Sequence, residues 1–314
     1  MISPGTNSTE SGQRLKTGIL FTLGNRGGIF TKIGVVHDDD TTASGTHSTP
    51  QKQRRFLPFQ RLYNKTQPLV RAVAAHQKGK LERAQQLLWH ITHPDERAFL
   101  AIVEYQSKQP LNSIKLLEEA LEEKKQLGKY FFNYEIPVSI GIQLGESINK
   151  TFGPEYKSFM MIHAELCLEV GSPHRAIPYL KSYLHANPLD LDVRLYTARY
   201  MMDFTYSTKD NARYVVGITD QVTRSENHDG ELFLYRAKAL MQLKLYIGAQ
   251  EALEKVIDQH FMPSDSLMKE GFYQLYQLHE LQGKQRDALK NLKLLYERDR
   301  GYRDVAERMS AVGA

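Results

Sequence analysis

The chain has 314 residues, with 41 Lys and Arg against 36 Asp and Glu, a formal net charge of +5, 41% hydrophobic residues and one cysteine. A single cysteine excludes an internal disulfide framework, and no run of about 20 apolar residues offers a bilayer span. The start lacks the basic and then apolar pattern of a secretory leader, so the expected setting is soluble, reducing and cytoplasmic.

Charge is divided unevenly along the chain. Residues 1–66 hold nine basic residues (Arg14, Lys16, Arg26, Lys32, Lys52, Arg54, Arg55, Arg61, Lys65) against four acids (Glu10, Asp38, Asp39, Asp40), which leaves 32 of each sign in the remainder. The basic pI near 9.0 therefore belongs to an N-terminal arm, residues 1–60, and the body that follows is electrically balanced. Within the arm, Gly18-Ile-Leu-Phe-Thr-Leu and Ile29-Phe-Thr-Lys-Ile-Gly-Val-Val flank Gly24-Asn-Arg-Gly-Gly, the signature of a β-hairpin over 18–36. A lone hairpin is marginal in water, so it is expected to lie on the body or on a partner. The flanks, Met1 to Gln13 and His37 to Arg55, are polar and read as flexible.

From residue 61 to the end a short phrase recurs: a turn residue, a small residue five positions later and a leucine four after that. Gly79/Ala84/Leu88, Lys108/Ser113/Leu117, Gly171/Ala176/Leu180, Lys244/Ala249/Leu253 and Gly283/Ala288/Leu292 spell it. Seven residues before the turn stand Ala72, Ala101, Ala164 and Ala237, with Tyr276 as the exception. Two antiparallel helices that cross closely need small residues where they meet, because an interaxial distance of about 8–10 Å leaves no room for branched side chains. Glycine at the turn supplies the left-handed conformation that ends the first helix. Between turns 171 and 244 a degenerate unit is legible, with Ala198, a turn near Ser207 to Asp210, and Ala212 with Val216. Residues 130–156 carry Pro137, Gly141, Gly145, Gly153 and Pro154, and read as a remodelled repeat.

This phrase resembles the tetratricopeptide repeat, of about 34 residues; the best copy runs from Met160 to Pro188 with Ala164, Gly171, Ala176, Leu180, Tyr183 and Asn187-Pro188. Trp89 departs from the pattern by falling at a second helix, and Tyr276 replaces a small residue. The resemblance implies an all-α, right-handed α-solenoid of about six helix-turn-helix units over residues 61–314, preceded by the hairpin-bearing arm. It also implies a groove lined by first helices that grips a peptide or an amphipathic helix. Mapped onto this chain, the inner positions are Leu69, Val73, His76, Ile102, Tyr105, Met161, Glu165, Leu195, Arg199, Met202, Leu234, Lys238, Met241, Tyr273 and Gln277. Members that hold acidic chaperone tails use lysines and asparagines there; Leu69, Val73, Ala98 and Ile102 point instead to an apolar ligand.

Other constellations have plainer readings. Gly24-Asn-Arg-Gly-Gly lacks the Lys-Ser/Thr pair of a nucleotide loop, and His90 with His93 lacks the further ligands of a zinc site. His37-Asp38-Asp39-Asp40 lacks calcium-loop spacing, and Cys167 lies in an apolar stretch that suits a core residue. The expectation is a non-enzymatic adaptor or scaffold without cofactor or metal. The alternatives are a subunit of a larger complex docked through the arm, and nucleic-acid contact through Lys52 to Arg61, where Phe56 and Phe59 interleave with arginines.

Overall fold

The computed structural model describes residues 20–24, 30–33, 67–136, 138–145, 147–205, 208–220, 222 and 227–313. An N-terminal pair of strands, β1 (Leu20–Gly24) and β2 (Phe30–Ile33), precedes two helix pairs, α1 (Pro68–Gln77) with α2 (Leu81–Leu87) and α3 (Pro94–Gln106) with α4 (Pro110–Glu122). A short helix α5 (Lys129–Asn133) and strands β3 (Val138–Gln143) and β4 (Asn149–Phe152) interrupt the series. Four more pairs follow: α6 (Tyr156–Glu169) with α7 (Ile177–Ala186), α8 (Leu191–Arg199) with α9 (Lys209–Ile218), α10 (Asn227–Gln242) with α11 (Tyr246–Ile257), and α12 (Asp265–Leu281) with α13 (Gln285–Arg298). Helix α14 (Val305–Gly313) closes the stack. The fold is a tetratricopeptide-like α-solenoid.

Local chemistry explains where these helices begin and end. Pro68, Pro94 and Pro110 stand in first turns, where the missing N–H has no intrahelical partner to lose. Asp190, Thr208 and Ser264 cap α8, α9 and α12 by accepting the N–H of Val193, Asn211 and Leu267. The turn within a pair is left-handed at every site the repeat phrase marked. Gly79, Gly171 and Gly283 have φ of 70°, and Lys108 and Lys244 adopt φ of 62° despite carrying a Cβ. Lysine at those two turns therefore carries steric strain that glycine would not, with the same turn geometry.

The small residues sit where the crossing argument puts them. Ala72, Ala84, Ala101, Ala164, Ala176, Ala237, Ala249 and Ala288 are buried, and Ser113 is buried with its hydroxyl donating to the Ala101 carbonyl at 2.6 Å. Tyr276 is buried as well, its phenol oxygen accepting from the Arg308 guanidinium in α14. In the degenerate unit Ala198 and Ala212 are buried; α8 runs on into a π-turn, Tyr200–Phe204, and Val215 rather than Val216 is the buried valine of α9. Trp89 lies beyond the end of α2 and is 81% exposed.

Residues 130–156 differ from the expected remodelled repeat. Helix α4 packs directly on α6, so this stretch is an insertion between consecutive pairs and not a helix pair itself. Strand β3 alternates buried and half-buried residues, with Val138, Ile140 and Ile142 buried, the period of two that a half-buried strand requires. Strands pair antiparallel in the order β2-β1-β3-β4, with Phe21 opposite Ile140 and Leu23 opposite Val138. The arm's strands thus extend the sheet of the insertion.

The turn geometry yields a stability prediction. Lys244→Gly relieves a left-handed lysine at the cost of a more flexible unfolded chain, and should stabilise the protein by about 0.5–1 kcal/mol in urea unfolding. Gly171→Ala should destabilise it by a similar amount.

Candidate functional site

The first helices of the later pairs, α6, α8, α10 and α12, carry the insertion on one face. Side chains of β3 and its following turn, Val138, Ile140, Ile142 and Leu144, are buried in the same continuous core as Met161 of α6 and Leu195 and Tyr196 of α8. Helix α6 shows the result: Ser158 through Cys167 is buried without interruption, which marks a helix covered on every side.

Polar contacts fasten the insertion to successive units. Arg199 of α8 donates to the Gln143 carbonyl at 2.6 Å, and Lys150 of β4 pairs with Asp192 at the start of α8 at 2.7 Å. The turn Leu144–Ile148 is closed by the Leu144 N–H to the Ile148 carbonyl at 2.8 Å. Its Ser147 donates both N–H, at 2.8 Å, and hydroxyl, at 2.6 Å, to Glu231 Oε1 of α10. Glu231 is fully buried, and a Cβ on Gly145 would overlap its carboxylate. Ser264, the cap of α12, reaches the Ser147 hydroxyl at 3.4 Å. By polar contacts alone the insertion therefore touches three consecutive units, beyond its apolar packing on α6.

Beyond the insertion, alternating charges run along the same helices. Burial raises the Glu165 carboxyl above the ordinary range, opposed by the charge of Arg199 and by the Tyr196 phenol that donates to it at 2.9 Å. Asp203 accepts from Tyr235 at 3.0 Å and Lys238 at 3.1 Å, and Lys238 also lies 3.6 Å from Glu270. Glu270, itself 2% exposed, further accepts from Arg303 at 2.6 Å, Tyr302 at 2.7 Å and Gln274 at 3.0 Å. Burial by itself would raise the Glu270 carboxyl; Lys238 and Arg303 outweigh it, and the net direction is downward. Tyr273 donates to Asp304 at 2.9 Å, and the Arg303 guanidinium lies over its ring at 4.6 Å. The segment between α13 and α14 thus covers α12 much as the insertion covers α6 and α8.

The residues expected to line a groove divide accordingly. Leu69, Val73, His76, Ile102, Met161, Glu165, Leu195, Arg199, Leu234 and Tyr273 are buried within this chain, whereas Tyr105, Met202, Lys238, Met241 and Gln277 are half-buried. The apolar members do not form one stripe: Leu69, Val73, Ile102, Met161 and Leu195 belong to one core cluster, Leu234 to a second and Tyr273 to a third. His76 is held by Gln106, and Tyr105 bridges to Glu169, with burial and that bond pushing its phenol up to about 12. Gln143, Gly145, Ser147, Glu231 and Glu270 were missed from the sequence. The signal that pointed to the first of them was the alternation Val138/Ile140/Ile142 running into Gly-X-Ser.

Other candidates resolve into structural roles. The Cys167 thiol is buried 3.5 Å from His163 Nε2, which lies 3.2 Å from Glu118, and burial pushes the thiol up to about 12. The thiol lies within the main core cluster, as expected for a core residue. His93 caps α3 by accepting the Asp95 N–H at 3.2 Å, and stacks on Tyr130 with ring centroids 3.4 Å apart. Asp95, fully buried, accepts the N–H groups of Gly128 and Tyr130 and so fixes the start of α5. Lys52 to Arg61 and His37 to Asp40 lie outside the described residues. Among the described helices none is long and apolar enough to cross a membrane.

No family model and no curated protein matches the sequence. Among solved structures, the N-terminal domain of the EccA1 ATPase from the ESX-1 secretion system of Mycobacterium tuberculosis is similar with a TM-score of 0.48 and 15% identity, covering 80% of this chain and 90% of that one. A tetratricopeptide repeat protein from Parabacteroides merdae is similar with a TM-score of 0.34 and 12% identity, covering 78% and 97%. The fold assignment rests on this chain's own helix pairs and their left-handed turns.

The charge network makes its own prediction. Glu270→Gln leaves Lys238 and Arg303 without their shared carboxylate and should destabilise the protein by about 1–3 kcal/mol at pH 7. Because the folded carboxyl titrates below its unfolded value, this contribution is complete above about pH 4.3 and is lost as pH falls through the lower folded value. The gap between wild type and variant in urea unfolding should therefore close in acid.

Proposed function

We propose that this protein is a non-enzymatic scaffold that binds another protein through the face formed by its first helices and the strands they carry. The carrying observation is that this face already holds an extended segment of polypeptide, residues 138–150, by aliphatic burial and by side-chain bonds to its main chain. Helix-pair solenoids commonly present such a face to partner proteins. The full burial of Cys167, the one thiol in the chain, supports a role without thiol chemistry.

A second reading, docking through the N-terminal arm, draws on the pairing of β1 with β3. Arm and insertion form one sheet, so the two readings converge on one side of the molecule. Nucleic-acid contact has less support, since the arm's basic residues face a charge-balanced body in the sequence.

Half-buried Tyr105, which links α3 to α6 through Glu169, is the residue to test, because Tyr273 is tied into the core. Once a partner is isolated with the full chain, Tyr105→Ala should weaken it by about 2 kcal/mol, close to 30-fold in Kd, with helical content unchanged. Leu294→Ala, on the outer side of α13 and 40% exposed, should leave binding intact. The reverse pattern would move the partner to the second helices and end the proposal.

A further inference from the structure

Residues 138–150 are held in the way a bound peptide is held. Val138, Ile140, Ile142 and Leu144 alternate into the core, a charged side chain (Arg199) reads a main-chain carbonyl, and a buried carboxylate (Glu231) reads the N–H and hydroxyl of one serine. A Cβ at Gly145 would overlap the Glu231 carboxylate, so a larger residue there must displace that buried side chain or the turn itself. The receptor groups come from α6, which follows the insertion directly, and from α8 and α10 of the next two units. Strand pairing from a distance is also seen here, since β1 adds to the free edge of β3 from over 100 residues earlier in sequence.

We propose that the insertion is a tethered occupant of a strand-binding site, and that the same site takes a partner segment of matching chemistry in trans. That segment is an extended strand with aliphatic residues at alternate positions, ending in a Gly-X-Ser turn whose N–H and hydroxyl bind the Glu231 carboxylate. This inference rests on the protein-binding role proposed above and names the partner's chemistry and its control. A tether sets an effective local concentration of about millimolar, so the site is closed to weak ligands until the insertion is dislodged. Partner entry is therefore an exchange of one strand for another, with the Gly145–Ser147 turn as the latch.

The test uses the full chain and a fluorescein-labelled synthetic peptide with the sequence of residues 137–152. Gly145→Val should drive the turn off Glu231, accelerating hydrogen exchange of residues 144–148 at least 10-fold, and should bind the peptide at least 10-fold tighter than wild type. Glu231→Gln loosens the turn and also weakens the receptor, so exchange should accelerate without that gain in peptide affinity. If circular dichroism shows Gly145→Val unfolded, Ser147→Ala, which removes the hydroxyl's bonds to Glu231 and Ser264 and adds no bulk, should show both effects to a smaller degree. Faster exchange without tighter peptide binding in the folded variant would overturn the proposal, as would unchanged exchange. Either result would leave the protein-binding role standing on the Tyr105→Ala measurement, so the two failures are distinguishable.

Discussion

Covering the apolar inner side of the first helices is the requirement on which the rest of this structure depends. A pair of helices buries one face of each in the other, and stacking buries the flanks, but the side of the first helix turned away from its partner stays apolar. Leaving Met161, Leu195 and Tyr196 in water would cost on the order of 1.5–3 kcal/mol per side chain. The chain meets this with its own β3, whose alternate residues Val138, Ile140 and Ile142 enter the same core. At the far end the segment carrying Tyr302 and Arg303 performs the same service for α12.

The polar contacts specify where these covers sit. Aliphatic burial is non-directional and would tolerate a strand slipped by two residues, whereas the bond from Arg199 to the Gln143 carbonyl and the paired bonds from Ser147 to Glu231 admit one register. Each of these receptor groups is largely removed from water, where an unmet charge is expensive, so helix and insertion depend on one another. The run from Asp203 through Lys238 and Glu270 to Arg303 likewise joins neighbouring units by charges that satisfy one another. Charged residues that in an open solenoid would face a ligand are here spent on the chain itself.

Much of the architecture was legible because it is local and repeated. The phrase of turn, small residue and leucine located the five left-handed turns, including the two where lysine stands in for glycine, and located the buried alanines. The insertion is not legible as a repeat because its prolines and glycines break helices, whereas the period-two alternation of Val138, Ile140 and Ile142 is the signal of a strand. The inner positions were assigned to the right helices, but their exposure could not follow from their spacing.

The amino-acid sequence by itself determined the helix pairs, their turns, the small residues at their crossings and the hairpin-forming strands of the arm, because each depends on contacts within a few dozen residues. Tertiary structure alone decided what lies over the first helices. The partners that meet there, Gln143 with Arg199, Ser147 with Glu231 and Arg303 with Glu270, are separated by 56, 84 and 33 positions along the chain. No periodicity records such a pairing; it exists because a strand and a helix face that each need cover are brought together when the units stack.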